Sequence, residues 1–166
     1  ALAGNEGQTP RARKKASLRS VRALEEIAAD YPDHADRWWW DLQRARALDR
    51  WGRTKDAREL LRRVTIRASG LPESRMAWLD LTSFAEREGA ASLEPWTHRE
   101  RLAQAEAAFG HRSLTMAGRL VDELLEDPTL PRNLRSGVLD LRADIAYRAH
   151  AYDQCVDDRQ ALFDQS

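Results

Sequence analysis

The six prolines of this chain, Pro10, Pro32, Pro72, Pro95, Pro128 and Pro131, all fall where a helix would start or stop. Between them apolar residues recur at intervals of three and four, and no sustained alternation of period two is present. Proline removes a backbone donor and clashes with the preceding turn, so proline-free stretches with that period read as helices. Eight segments are predicted, over 17–30, 35–51, 54–68, 73–88, 95–109, 113–126, 131–149 and 152–164. Ser17, Thr54, Ser92 ahead of Pro95, Ser113 and Pro131 mark the starts. Gly52, Gly70, Gly89 and Gly110 mark the stops. Each segment carries an apolar stripe, such as Ala57, Leu60, Leu61, Val64 and Ala68. The fold class expected is all-α, with antiparallel neighbours on short loops.

Composition narrows the function. Twenty-seven basic residues balance 27 acidic ones, so no global basic field captures nucleic acid, and no nucleic-acid partner is expected. A hydrophobic fraction of 42% with six tryptophans supports a packed core despite a mean hydropathy of −0.68. A single cysteine, Cys155, forms no internal disulfide and founds no zinc site. No apolar run approaches the ~20 residues of a membrane helix, so no membrane insertion of this segment is expected. Residues 1–16, with Arg11, Arg13, Lys14 and Lys15 and almost nothing apolar, read as a flexible, solvated basic tail. Ala1-Leu2-Ala3 has the small-x-small form of a signal-peptidase site without the charged and apolar regions that precede one, and reads as the edge of an excised piece. Only three of the basic residues are lysine, which with the abundant alanine associates the chain with a bacterial source, cytoplasmic or periplasmic.

Self-comparison reveals a repeat. Ala45, Leu48, Gly52, Ala57 and Leu61 are spaced three, four, five and four. The same spacing recurs at Ala105, Ala108, Arg112, Ala117 and Val121, and again at Ala143, Ala146, His150, Cys155 and Arg159. Half-units occur at Ser20 and Leu24, and at Thr82, Ala85 and Gly89. Small residues let the two helices of a hairpin approach closely, and glycine supplies the reversal. The stretches RARALDRWGRTKDARELLRRV (44–64) and RADIAYRAHAYDQCV (142–156) resemble the tetratricopeptide repeat family. The period is 37–38 residues rather than the family's roughly 34, and the interval from Thr82 to Ala105 is only 23. His150 and Arg112 stand where the family has its turn glycine, and Arg159 where it has a large apolar residue. The resemblance implies that residues 17–166 form seven or eight helices in antiparallel hairpins, stacked as a right-handed solenoid.

Catalytic constellations are not evident. No two of His34, His98, His111 and His150 have the i, i+4 spacing of a helical metal site, and no cofactor is expected. Asp33, His34 and Asp36 cluster in an inter-helix loop and read as caps. His98 lies on the stripe of Leu102, Ala105 and Phe109 and reads as a partly buried, hydrogen-bonded histidine. Glu25-Glu26 and Asp157-Asp158 are adjacent pairs pointing about 100° apart, so neither pair shares a substrate. Gly118 and Gly137 fall inside helices, where close helix contact would offset their cost of ~1 kcal/mol. The chain is expected not to be an enzyme.

The segment 35–51 is the informative one, because Trp38, Trp39 and Trp40 fan over about 200° of one helix. Trp38 aligns with Leu42, Ala45 and Leu48, and Trp40 with Ala47 and Trp51, giving two apolar stripes. Trp39 aligns instead with Gln43, Arg46 and Arg50. Two accounts of that row are open: arginine stems and the first helix half-cover Trp39, or the row faces a groove and binds a partner. The row Trp39, Gln43, Arg46 and Arg50 is therefore the candidate partner-binding site. The tetratricopeptide resemblance implies a non-enzymatic scaffold for protein–protein interaction, one module of a larger bacterial protein, with another protein or an acidic peptide as partner. Two alternatives stand beside it. One is a periplasmic module of a polysaccharide-export system that contacts glycan or secretion partners. The other is a helical superdomain of a larger enzyme, since RWWWDLQRARALDRWGR resembles the helical region of soluble lytic transglycosylases.

Overall fold

The computed structural model describes residues 9–89 and 93–164. Among them are eight helices and no strand: α1 (Pro10–Asp30), α2 (Arg37–Trp51), α3 (Thr54–Arg67), α4 (Pro72–Glu88), α5 (His98–Gly110), α6 (Leu114–Leu125), α7 (Arg132–Arg148) and α8 (Tyr152–Phe163). The chain is all-α. Seven starts lie within three residues of the expected positions, and the exception is α1.

Helix α1 begins at Pro10 rather than at Ser17. Thr9 is its N-cap, with the hydroxyl accepting the Ala12 N–H at 3.3 Å, and Pro10 occupies the first turn, where its missing donor is not needed. Ser17, the expected cap, is buried mid-helix and its hydroxyl donates to the Arg13 carbonyl at 3.0 Å. Residues 10–16 are therefore helix and not tail. Residues 1–8 and the expected cap Ser92 lie outside the described residues. Before α5 the working cap is Thr97, whose reciprocal capping box with Glu100 sets the start at His98 and leaves Pro95 ahead of the helix.

The turn chemistry repeats in register. Gly52 has φ +92°, and Arg112 and His150, at the two equivalent positions, have φ +61° and +62°. At each turn the next residue's N–H closes onto a carbonyl five residues back. The pairs are Arg53 to Leu48 at 2.9 Å, Ser113 to Ala108 at 2.8 Å and Ala151 to Ala146 at 2.8 Å. That six-to-one closure is the Schellman stop, which requires one left-handed residue. Arginine and histidine adopt it here without being glycine. The small residues of the repeat, Ala45, Ala57, Ala105, Ala117 and Ala143, are fully buried, and Cys155 is half-buried. Arg159 departs from the repeat because it stays half-exposed and pairs with Asp140 and Asp144 of α7.

The described chain divides into two compact units, residues 9–64 with 76–89, and residues 65–75 with 93–164. In the first, α1 packs on α2, and Arg44 of α2 reaches Glu25 of α1 at 3.8 Å. Leu42, Ala45, Ala47, Leu48, Ala57, Leu60, Leu61, Val64, Ala77, Leu81 and Phe84 are its buried hydrophobic residues on α2, α3 and α4. In the second, the hairpins α5–α6 and α7–α8 meet where α6 packs on α7. Val121, Leu124, Leu130, Val138, Leu141 and Ile145 form its core around Ala105, Ala108 and Ala117. Each large side chain there contributes about 1.5–3 kcal/mol by leaving water. Gly118 and Gly137 are not the close crossings expected of them. A methyl group on either would meet Ile145 or Leu102 at 3.9 Å, an ordinary contact distance. The tight approach is at Gly70, where an added Cβ would come within 2.8 Å of the Ser113 Cβ.

Candidate functional site

Helix α2 is buried along both stripes expected of it: Leu42, Ala45 and Leu48 below Trp38, and Ala47 between Trp40 and Trp51. Trp38, Trp40 and Trp51 are half-buried, and the Trp40 indole stacks on His34 at 4.8 Å between ring centroids. The third row is the wet one. Trp39 is 42% exposed, Gln43 is half-buried and Arg50 is exposed. Arg46 is half-buried and donates to both oxygens of Asp80 in α4, at 2.7 and 3.4 Å.

A cleft of about 240 Å³ opens beside this row. Its walls are Ala45, Arg46, Asp49 and Arg50 from α2, Leu61 from α3, and Asp80, Ser83, Phe84 and Arg87 from α4. The structure thus brings Arg46 and Arg50 together on one cleft and leaves Trp39 and Gln43 off its lining, one to two turns away along the helix. Helical spacing produces this split, because the row is about 16 Å long and the cleft occupies its C-terminal end.

The electrostatics of the cleft sort its three arginines. Arg46 is neutralised by Asp80. Arg87 reaches Asp49 at 3.4 Å and lies 4.4 Å over the Phe84 ring, a cation–π distance. Arg50 has no ion pair or hydrogen bond through its side chain among the described residues. Leu61 and Phe84 share the lining of the cleft with Arg50, so a carboxylate that enters it meets a guanidinium beside apolar walls, where a charge-assisted hydrogen bond is stronger than in open water. Asp49, Asp80, Ser83, Phe84 and Arg87 were not found in the sequence. Four of them come from α4, and the fifth, Asp49, meets Arg87 of that helix 38 positions away, so no local pattern announces the pairing.

The other residues weighed in the sequence have structural surroundings. The His98 Nε2 lies 3.1 Å from the Asp127 carboxylate, which also accepts from Arg101 at 3.0 Å. Thr129 donates to the same carboxylate through its N–H at 2.9 Å and its hydroxyl at 2.6 Å. The two Thr129 bonds, and after them His98, hold the Asp127 carboxyl well below the usual carboxylate range. His34 accepts the Asp36 N–H at 3.1 Å in its loop. Asp157 is exposed while Asp158 is buried, so this adjacent pair does point apart. Asp158 receives Arg142 of α7 in a fork, at 2.5, 3.0 and 3.0 Å. Among the described residues no group of three acidic, histidine or cysteine side chains is placed to hold a metal ion. No described helix is long and apolar enough to cross a membrane. Comparison with protein-family models, with curated proteins and with solved structures finds no match.

Proposed function

We propose that the chain is a non-enzymatic, tetratricopeptide-like scaffold whose α2–α4 cleft docks an acidic segment of another protein. The observation that carries this reading is Arg50, an exposed guanidinium with no partner among the described residues, on a cleft whose other two arginines are already paired. The cleft's size points the same way. About 240 Å³ is below the ~300–1,000 Å³ of small-molecule sites and suits one or two side chains of a bound peptide. Trp39, exposed about three turns from Arg50 on the same row, extends the surface beyond the cleft in the manner of an aromatic hot spot. Support for a stacked-hairpin architecture comes from the three Schellman turns in one register and the buried alanines that flank them.

The test is fluorescence anisotropy with a labelled Glu/Asp-rich peptide carrying one apolar anchor. Arg50→Gln is expected to weaken binding at least tenfold, about 1.4 kcal/mol, while stability falls only by the roughly 0.3–1 kcal/mol of a cation lost from the last turn of α2. Trp39→Ala is expected to weaken it as well. Equal affinities for wild type and Arg50→Gln would overturn the assignment of the cleft.

A further inference from the structure

The first thirteen residues of α1, PRARKKASLRSVR, hold six cations and no acid. As a tail they would be solvated charges, but in the structure they are a helix continuous with the part of α1 that packs on α2. At about 100° per residue, Arg11, Lys15, Arg19 and Arg22 fall within an arc of roughly 80°, turned away from the buried Ser17, Val21 and Ala28. All four are exposed and have no ion pair among the described residues. They form a fixed line about 16 Å long.

Nothing among the described residues calls for this line. Arg11 with Lys15 and Lys15 with Arg19 are like charges at i, i+4, which oppose the helix. The first turn has no acid, and the cations crowd the positive end of the helix dipole. A feature that works against local stability while pairing with nothing among the described residues points to a use outside the molecule.

We propose that the Arg11–Lys15–Arg19–Arg22 stripe is a sequence-independent docking site for the phosphate backbone of double-stranded DNA. Three of the four cations are arginine, whose planar fork matches phosphate oxygens. No aromatic residue lies between Arg11 and Arg22, so the stripe offers no platform for the unstacked bases of a single strand. Val21 and Ala28 are buried, and of the large apolar side chains of α1 Ile27 is the one exposed, so the helix presents no broad apolar face for insertion into a bilayer. A balanced whole-chain charge means the attraction is local, with affinity in the non-specific range.

The experiment is anisotropy of a labelled 20-base-pair duplex with the full chain between 50 and 200 mM salt. The expected plot of log affinity against log salt has a slope of about −3 to −4, from four contacts at roughly 0.9 each. Arg11→Glu with Lys15→Glu is expected to reduce the slope by about 2 and weaken binding at least tenfold at the lower salt. That variant should melt at the same or a higher temperature, since acids near a helix N-terminus are favourable, so loss of binding cannot be assigned to unfolding. Arg50→Gln should bind the duplex like the wild type. No duplex binding at 50 mM salt, or an unchanged slope in the double variant, overturns the proposal. So does capture of phosphatidylserine vesicles or acidic peptide by the stripe with no competition from duplex.

Discussion

The Arg142–Asp158 fork between α7 and α8 offers a measurable test of how the second unit is held. Asp158 is 2% exposed, and Arg142 supplies it with three contacts of 2.5–3.0 Å. Removing one member of a buried pair costs about 3–5 kcal/mol, because the other charge is left without a partner. Here the guanidinium keeps 28% exposure and has Asp122 at 3.8 Å, so part of that penalty is relieved by water and by the second carboxylate. Asp158→Ala is therefore expected to destabilise by about 2–4 kcal/mol, read as a lowered urea midpoint with an unchanged slope. Asp158→Asn retains shape and one acceptor and should lose about 1–2 kcal/mol. Replacing both partners, Arg142→Met with Asp158→Leu, should return the protein to within ~1 kcal/mol of wild type, since no unpaired charge remains. A loss below ~0.5 kcal/mol in Asp158→Ala, or a double variant worse than either single one, would refute the reasoning.

Other expectations follow from the turns, the core and the acid cluster. Arg112 holds φ +61° with nothing in the fold requiring arginine there, so Arg112→Gly should stabilise by roughly 0.5–1 kcal/mol in thermal unfolding, while Gly52→Ala should destabilise. Ala117 is fully buried among Ala105, Val121 and Val138, and Ala117→Leu should overpack the hairpin by ~1–3 kcal/mol. Glu59→Leu, at an exposed site with only a 3.9 Å pair to Lys55, should stay within ±0.5 kcal/mol in the same denaturation assay. Asp127 titrates lower in the folded than in the unfolded chain, so its stabilising effect is complete above the ordinary carboxylate range and is lost as pH falls below about 4. Thr129→Val should raise the Asp127 pKa in a carbon-detected carboxyl titration and flatten that acid-side loss.

The helices were legible because proline and apolar period act locally. The turns were legible in part: spacing placed Arg112 and His150 at glycine positions, and their left-handed backbone shows that register outweighed residue preference there. The start of α1 was missed although Thr9-Pro10 carries it, because a run of cations with nothing to bury outweighed a two-residue cap signal. The start of α5 was misplaced because Pro95, read as a first-turn proline behind Ser92, outweighed the Thr97–Glu100 capping box, which starts the helix at His98, three residues inside the expected boundary. At the candidate site, helical spacing found Arg46 and Arg50 but joined them to Trp39 and Gln43, which lie off the cleft. Period tells which residues share a line on a helix. It does not tell where a second helix covers that line, and Asp80 and Phe84 of α4 decide this.

The most direct measurement of the central claim is an NMR titration of the arginine Nε–H and tryptophan indole signals with the acidic, apolar-anchored peptide. A docking cleft predicts that the Arg50 signal moves first and saturably, with Arg87 and Arg46 following as the Asp49 and Asp80 pairs adjust, and Trp39 shifting among the six indoles. The same titration of Arg11→Glu, Lys15→Glu protein should leave those shifts in place, which separates the cleft from the basic stripe on α1. Shifts confined to the α1 arginines, with Arg50 unmoved at saturating peptide, would contradict the account.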